Sequence, residues 1–236
     1  MEGTYGVVVE VNCETDFVSK GDDFQNFAKS VANHIVKNKP ATVEALLEQK
    51  WEGSDRSVKE ISTELTLKCG EKVDIRRFET VELAGTGLVG NYNHGGKIGV
   101  LVEVTAPTAD STTEELAKDI AMHVAAADPK FLSAGDIDDE FKQREAAIYK
   151  AQLEEQGKPA DMIDKIIQGK LNKLASEVCL LNQKFVKDPD TTVEKLIKSK
   201  GDGITVNRFV KLNLGEGIEK KEDNLADEVA KMTGKQ

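Results

Sequence analysis

Val7-Val8-Val9-Glu10-Val11-Asn12-Cys13-Glu14-Thr15-Asp16-Phe17-Val18 is the stretch that decides how the chain is read. Its β-branched start has the composition of a buried strand, and it runs into a polar corner where Asp16 and Phe17 sit side by side. Placed in a loop, those two point outward together. A Phe at a loop tip either tucks back under its own loop or serves as a wedge toward a partner, because aromatics are enriched among the residues that dominate interfaces.

Working outward, the strand pattern returns. Val7-Val8-Val9-Glu10-Val11 matches Val100-Leu101-Val102-Glu103-Val104, an offset of 93 residues from Val7 to Val100. The helical segment from Phe27 to Val36 matches the one from Leu116 to Ala125 at an offset of 89, and Arg77-Phe78 answers Arg208-Phe209 at 131. The step from 89 to 131 is a net gain of 42 residues between helix and last strand in the second copy. These repeats predict an α+β fold of two duplicated halves, each a small antiparallel sheet flanked by helices. The predicted units are residues 1–84, residues 85–222 and a C-terminal helix over 223–236 carrying Leu225, Val229 and Met232 on one face.

Within the first half, Asp22 or Asp23 is expected to cap a helix whose Phe24, Phe27, Ala28, Val31 and Ile35 form one apolar stripe, ended by Lys39-Pro40. Helical pattern follows over 43–47 and 58–67, then a strand over 73–83. In the second half the gained residues read as an antiparallel helical hairpin inserted at 136–181 around the stop Gly157-Lys158-Pro159. Ile163, Ile167, Leu171, Leu174, Val178 and Leu181 make a narrow stripe on its second helix, with Phe141, Ile148 and Ala151 expected opposite. Such a stripe suits a hairpin that projects from the body and offers a surface for self-association, or one that packs on the core. A short helix over 193–199 and a strand over 206–214 follow.

Composition narrows the function. A charged fraction of 31% with 39% hydrophobic residues is that of a globular protein. The net charge of −10 argues against direct nucleic-acid binding, which needs clustered cations. Cys13, Cys69 and Cys179 lack metal-site or disulfide spacing, so free thiols in a reducing compartment are expected. No apolar run reaches the roughly 18 residues of a membrane helix and no signal-peptide pattern opens the chain. The cytoplasm or an organelle matrix fits, with no membrane role and no cofactor.

Gly85-Thr86-Gly87-Leu88-Val89-Gly90 spells G-x-G-x-x-G, with Glu103 18 residues beyond Gly85, which on spelling alone suggests an NAD-dependent enzyme. That motif must open a helix, whereas Asn91 to Lys97 reads as turn chemistry before another strand. His34 and His123 hold equivalent places in the two helix repeats and read as packing residues, while His94 in a Gly-rich turn is free to meet a partner. Gly21-Asp22-Asp23 and Asp188-Pro189-Asp190 lack the Gly and terminal Glu of an EF-hand loop. No P-loop or nucleophile spacing occurs, so an enzyme is not expected. A coiled-coil assembly protein built on the hairpin remains a reading of another class.

Glu10-Val11-Asn12-Cys13-Glu14-Thr15-Asp16-Phe17-Val18 resembles the Thr-Asp-Phe-Val segment of the elongation factor Ts family, the guanine nucleotide exchange factors for elongation factor Tu. The likeness continues through Ile75-Arg76-Arg77, Tyr92-Asn93-His94-Gly95, Ile98 to Val102, Ile120 to Ala125 and Gly215 to Lys220. The resemblance implies elongation factor Tu as the partner and contacts at Thr15, Asp16, Phe17, Val18, Cys69, Gly70, His94, Gly95, Phe185 and Val186. It implies that Asp16-Phe17 intrudes beside the partner's magnesium and nucleotide site. Cys69 stands where the family has an aliphatic residue. Members of the family also carry a small helical module ahead of this point, and the chain is expected to lack it.

Overall fold

In the computed structural model, which describes residues 3–218, the β-branched run forms β1, Tyr5–Asn12. It pairs antiparallel with β2, Asp74–Glu82. Between them lie α1 (Asp16–Ser19), α2 (Asp22–Asn38), α3 (Val43–Glu48) and α4 (Val58–Cys69). The α2 stripe is the expected one: Phe24, Phe27, Val31 and Ile35 are buried against Val11, Leu46, Val58, Leu65, Val73 and Ile75. Each such side chain taken out of water stabilises the fold by roughly 1.5–3 kcal/mol. The cap differs from expectation. Gly21 is the N-cap, and Asp22 and Asp23 fall in the first turn, where their charges still complement the helix dipole.

The second sheet has the order β3-β4-β7, from β3 (Gly87–His94), β4 (Ile98–Thr105) and β7 (Thr205–Asn213). Its helix α5, Ser111–Ala127, buries Leu116, Ala117, Ile120, Ala121 and Val124 on Val100, Val102 and Val104. The hairpin follows as α6 (Asp139–Glu155) and α7 (Ala160–Val178), then β5 (Lys184–Phe185), β6 (Asp188–Thr192) and α8 (Val193–Lys200). β3 runs straight through Asn91, Tyr92 and Asn93, and the turn expected there is confined to Gly95-Gly96, both at positive φ. Full antiparallel pairing with β4, from Gly87↔Thr105 to His94↔Ile98, overrides the turn propensity of the two Asn residues.

The same structural details recur at the repeat spacing. A bulge falls between Glu10 and Val11 in β1 and between Glu103 and Val104 in β4, with Arg77 opposite the first Glu and Arg208 opposite the second. Lys39 and Asp128, each ahead of a Pro, are the non-glycine residues at positive φ among the described residues. His34 Nε2 meets Gln49 Oε1 at 3.0 Å, and His123 Nε2 meets Gln183 Oε1 at 3.0 Å. Trp51 lies on the His34 ring and Phe185 on the His123 ring. The packing role expected of both histidines is therefore met, and Val186 N–H donating to His123 Nδ1 at 3.2 Å fixes the second tautomer. Burial pushes the His123 pKa below its ordinary value, outweighing the Gln183 bond.

The two sheets also meet reciprocally. A methyl on Gly6 would stand 2.6 Å from Val89 Cγ1 and 3.1 Å from Leu101 Cδ2, and one on Gly99 would stand 2.3 Å from Val8 Cγ2. Gly6 and Gly99 are themselves 93 residues apart. Glycine at both places lets Val8, Val81, Leu83, Val89, Leu101 and Val210 close into one cluster between the sheets.

Leu46 and Leu180, both fully buried, are equivalents at an offset of 134, so the insertion adds 45 residues between Pro129 and Leu180. α8 is one turn shorter than α4, which brings the net gain back toward 42 at β7. In the hairpin, Leu153 on α6 and Ile163 and Leu174 on α7 are buried. Of the face expected on α6, Phe141 packs inward, and the two later positions do not. Ile148 and Ala151 are exposed, while Tyr149 faces α7, with Lys170 Nζ 4.5 Å from its ring centre. A cluster of Phe131, Phe141, Ile137, Leu174 and Cys179 closes the base.

The strands entering and leaving the hairpin touch: Phe131 N–H donates to Val178 O at 3.1 Å and Leu180 N–H to Phe131 O at 2.9 Å. Replacing residues 136–178 by a short Gly/Ser loop is therefore expected to preserve a cooperative thermal transition, since short loops between close ends cost little closure entropy. A molten or insoluble product in calorimetry or solubility assays would contradict this. The helix expected over 223–236 lies outside the described residues.

Candidate functional site

The polar corner after β1 is a one-turn helix rather than a loop. Thr15 is extended and caps α1, its Oγ1 accepting from Val18 N–H at 3.3 Å. Four residues are too few for any periodicity to reveal in sequence. Val18 is half-buried against the first core, and this turns its neighbour Phe17 outward, where its side chain is 89% exposed, the most of any large apolar residue described. The tucked arrangement weighed from sequence is not the one adopted. Asp16 is exposed beside it and pairs with Lys20 at 3.7 Å, a contact worth little in water.

Residues far along the chain hold this corner. Glu71, just after α4, accepts from Thr15 N–H at 2.9 Å and from Thr15 Oγ1–H at 2.6 Å. In return Lys72 N–H donates to Glu14 Oε1 at 3.2 Å. No sequence signal pairs positions 56 to 58 residues apart, so Glu14 and Glu71 escaped the sequence reading. Cys69 ends α4, half-buried against the core, and Gly70 caps it at φ 72°. Cys13 is a free thiol whose pKa burial pushes up, with the Glu71 carboxylate adding to the effect. A thiol held protonated is a poor nucleophile.

His94 is exposed at the end of β3 and shares a 3.0 Å hydrogen bond with Tyr92 Oη through its Nδ1. Beyond it Gly95 and Gly96 turn at φ 57° and 71°, and Asn93 Oδ1 accepts from Gly96 N–H at 2.8 Å. A cleft of about 360 Å³ is lined by Thr15 and Asp16, by Gly95 of this turn, and by Leu214 and Ile218. Thr15, Asp16 and Gly95 are thus brought around one opening, and the Glu71 bonds tie the Cys69-Gly70 end of α4 to the same corner. Phe185 and Val186 belong elsewhere. Phe185 is buried against His123 in the second core, leaving Val186 as the exposed member of the pair.

The glycine-rich motif has a packing explanation. Gly85 and Gly87 take φ 121° and 142°, and a methyl on Gly87 would stand 2.1 Å from Val104 O. Gly90 faces α5, where a methyl would be 2.6 Å from Ala117 Cβ. The segment enters strand β3 and opens no helix, so the pyrophosphate-binding geometry of a dinucleotide site is not formed. Among the described residues, no group of three or more His, Cys, Asp and Glu is placed to hold a metal ion, and no helix is long and apolar enough to cross a membrane.

The family model for elongation factor Ts matches residues 14–216. Curated relatives called elongation factor Ts include those of Clostridium perfringens strain SM101, 46% identical over 98% of this chain and 77% of the relative, and Trichlorobacter lovleyi, 46% identical over 98% and 78%. That of Limosilactobacillus fermentum is 46% identical over 100% of this chain and 78% of its own length. A match that begins just before Thr15 and ends past β7 takes in the exposed Phe17 corner, the bulged β4/β7 pair and the inserted hairpin, and the chain belongs to the elongation factor Ts family.

Proposed function

We propose that the chain is a guanine nucleotide exchange factor for elongation factor Tu, and that Asp16 and Phe17 are the wedge that loosens GDP. The observation that carries this reading is Phe17: a large aromatic, 89% exposed, on a helix fastened at its start by Thr15 and Glu71. Exposing an aromatic costs solvation and contributes nothing to this fold, which suits a residue whose burial comes in a complex. Asp16 and Phe17 intrude beside the partner's magnesium and nucleotide site and displace the elements that hold the ion. Thr15 and Val18 orient the wedge. Cys69-Gly70, His94-Gly95 and Val186 make flanking contacts, with Phe185 supporting Val186 from inside.

Such a factor makes and breaks no covalent bond. It works by differential affinity, so it weakens GDP binding by the same factor by which GDP weakens its own binding. Each tenfold loosening requires about 1.4 kcal/mol of coupling. Stopped-flow release of a fluorescent GDP from elongation factor Tu tests the reading. Release is expected to accelerate as this chain is added, and a rate independent of its concentration would contradict the proposal.

A further inference from the structure

We infer that Glu71 is the positioning residue of the exchange wedge, holding α1 at the angle that presents Phe17. The inference rests on the proposed function for its consequence and on the geometry of the corner for its cause. α1 has four residues and buries none of them, and a helix that short has no stability of its own because nucleation is unfavourable. Val18 seats it on the first core, and the freedom that is left is limited by what grips its ends. At the C-terminal end Gln25 Nε2 donates to Ser19 O at 2.5 Å. At the N-terminal end the grip is Glu71.

The bonding there is directional. Thr15 Oγ1 has one proton, and it is spent on Glu71 Oε1 at 2.6 Å, so its lone pair faces Val18 N–H. Glu71 Oε2 takes Thr15 N–H at 2.9 Å. One carboxylate therefore fixes both the backbone and the rotamer of the capping residue, and charge-assisted bonds of this kind are stronger than neutral ones. Glu14 and Lys72 complete a crossed pair, each strand end lending one side chain to the other's backbone. This clasp continues the β1·β2 pairing past its last rung, Asn12↔Asp74. It is a fastening at the surface, since Thr15 is exposed and Glu71 half-buried. Removing it frees α1 without opening the core.

Glu71→Ala is expected to leave the melting temperature near that of the parent chain. The amides of Ser19, Lys20 and Gly21, bonded to the carbonyls of Thr15, Asp16 and Val18, should exchange hydrogen at least about tenfold faster, as local opening becomes easier. Stimulated GDP release should fall about tenfold, equivalent to about 1.4 kcal/mol. Glu71→Gln, which keeps one acceptor oxygen for Thr15 but loses the charge, should fall between Glu71→Ala and the parent. On a Phe17→Ala background, Glu71→Ala should reduce release no further, because two residues acting through one group share their effect. Unchanged amide exchange at residues 19–21, or fast amide exchange with full-speed GDP release, would overturn the inference. So would a large drop in melting temperature with both Glu71→Ala and Glu71→Gln, which would make Glu71 a structural staple. If Phe17→Ala itself leaves GDP release intact, the wedge is what fails, and the amide measurement still decides what Glu71 holds.

Discussion

Glu10→Ala is expected to destabilise the fold by about 3 kcal/mol, the lower end of the cost of breaking a buried ion pair from one side. Glu10 is 4% exposed on β1. Its carboxylate accepts from Arg76 Nη1 at 3.0 and 3.1 Å, from Arg77 Nε at 2.5 Å, from Asn12 Nδ2 at 3.2 Å and from Gly215 N–H at 2.9 Å. The acceptor thus ties together the bulge of β1, the strand β2 opposite and the turn after β7. Arg76 and Arg77 retain 25% and 32% side-chain exposure, so water recovers part of the loss, which places the cost at the low end. For a chain of this size that lowers the melting temperature by roughly 6–12 °C. Calorimetry giving less than a few degrees would show that the arginines are solvated well enough without it.

The same group predicts a pH dependence. Burial pushes the Glu10 carboxyl up, but the bonds from Gly215, Arg77, Arg76 and Asn12 together outweigh it and hold the pKa below the ordinary value. A carboxyl depressed in the folded state contributes stability that is fully present above its unfolded pKa of about 4.3 and is lost as pH falls through the folded value. The stability gap between parent and Glu10→Ala should accordingly be constant near neutrality and narrow as the pH drops below about 4. Glu103, its repeat equivalent, is half-buried and meets Asn207 Nδ2 at 3.0 Å instead. The duplicated bulge has therefore kept its geometry while only one copy has become a charged junction.

The repeat was the most legible part of the sequence because a strand and a helix stripe each leave several residues at fixed spacing. Val7 to Val11, Val100 to Val104 and the two His-bearing helices were enough to foretell two related sheets and an inserted hairpin. What stayed hidden depended on partners far along the chain. α1 is shorter than one period, and its clasp joins Thr15 to Glu71 across 56 positions. Ladder pairing carried β3 through residues that read as a turn, and Tyr149, meeting Lys170, took the inward place expected of Ile148. At the candidate site, residue type left Phe17 open between a tucked and an outward place, and the outward one follows from Val18, which packs on the first core beside it. The burial of Phe185 was hidden too, since it follows from packing on His123, 62 residues earlier.

The wedge makes the second large prediction. Phe17→Ala should leave the melting curve of the chain unchanged, because a side chain 89% exposed has little buried area to lose. Truncating an aromatic at the centre of an interface commonly costs ~2 kcal/mol or more, about a thirtyfold effect, so stimulated GDP release should slow by that order. Asp16→Ala should act in the same direction and be less than additive with it, since neighbours acting on one site share their effect. The most direct measurement is the melting curve and the stopped-flow release of fluorescent GDP from elongation factor Tu for the single variant Phe17→Ala. An unchanged melting temperature with roughly thirtyfold slower release is the expected result, and parent-like release from a well-folded Phe17→Ala chain would contradict the wedge.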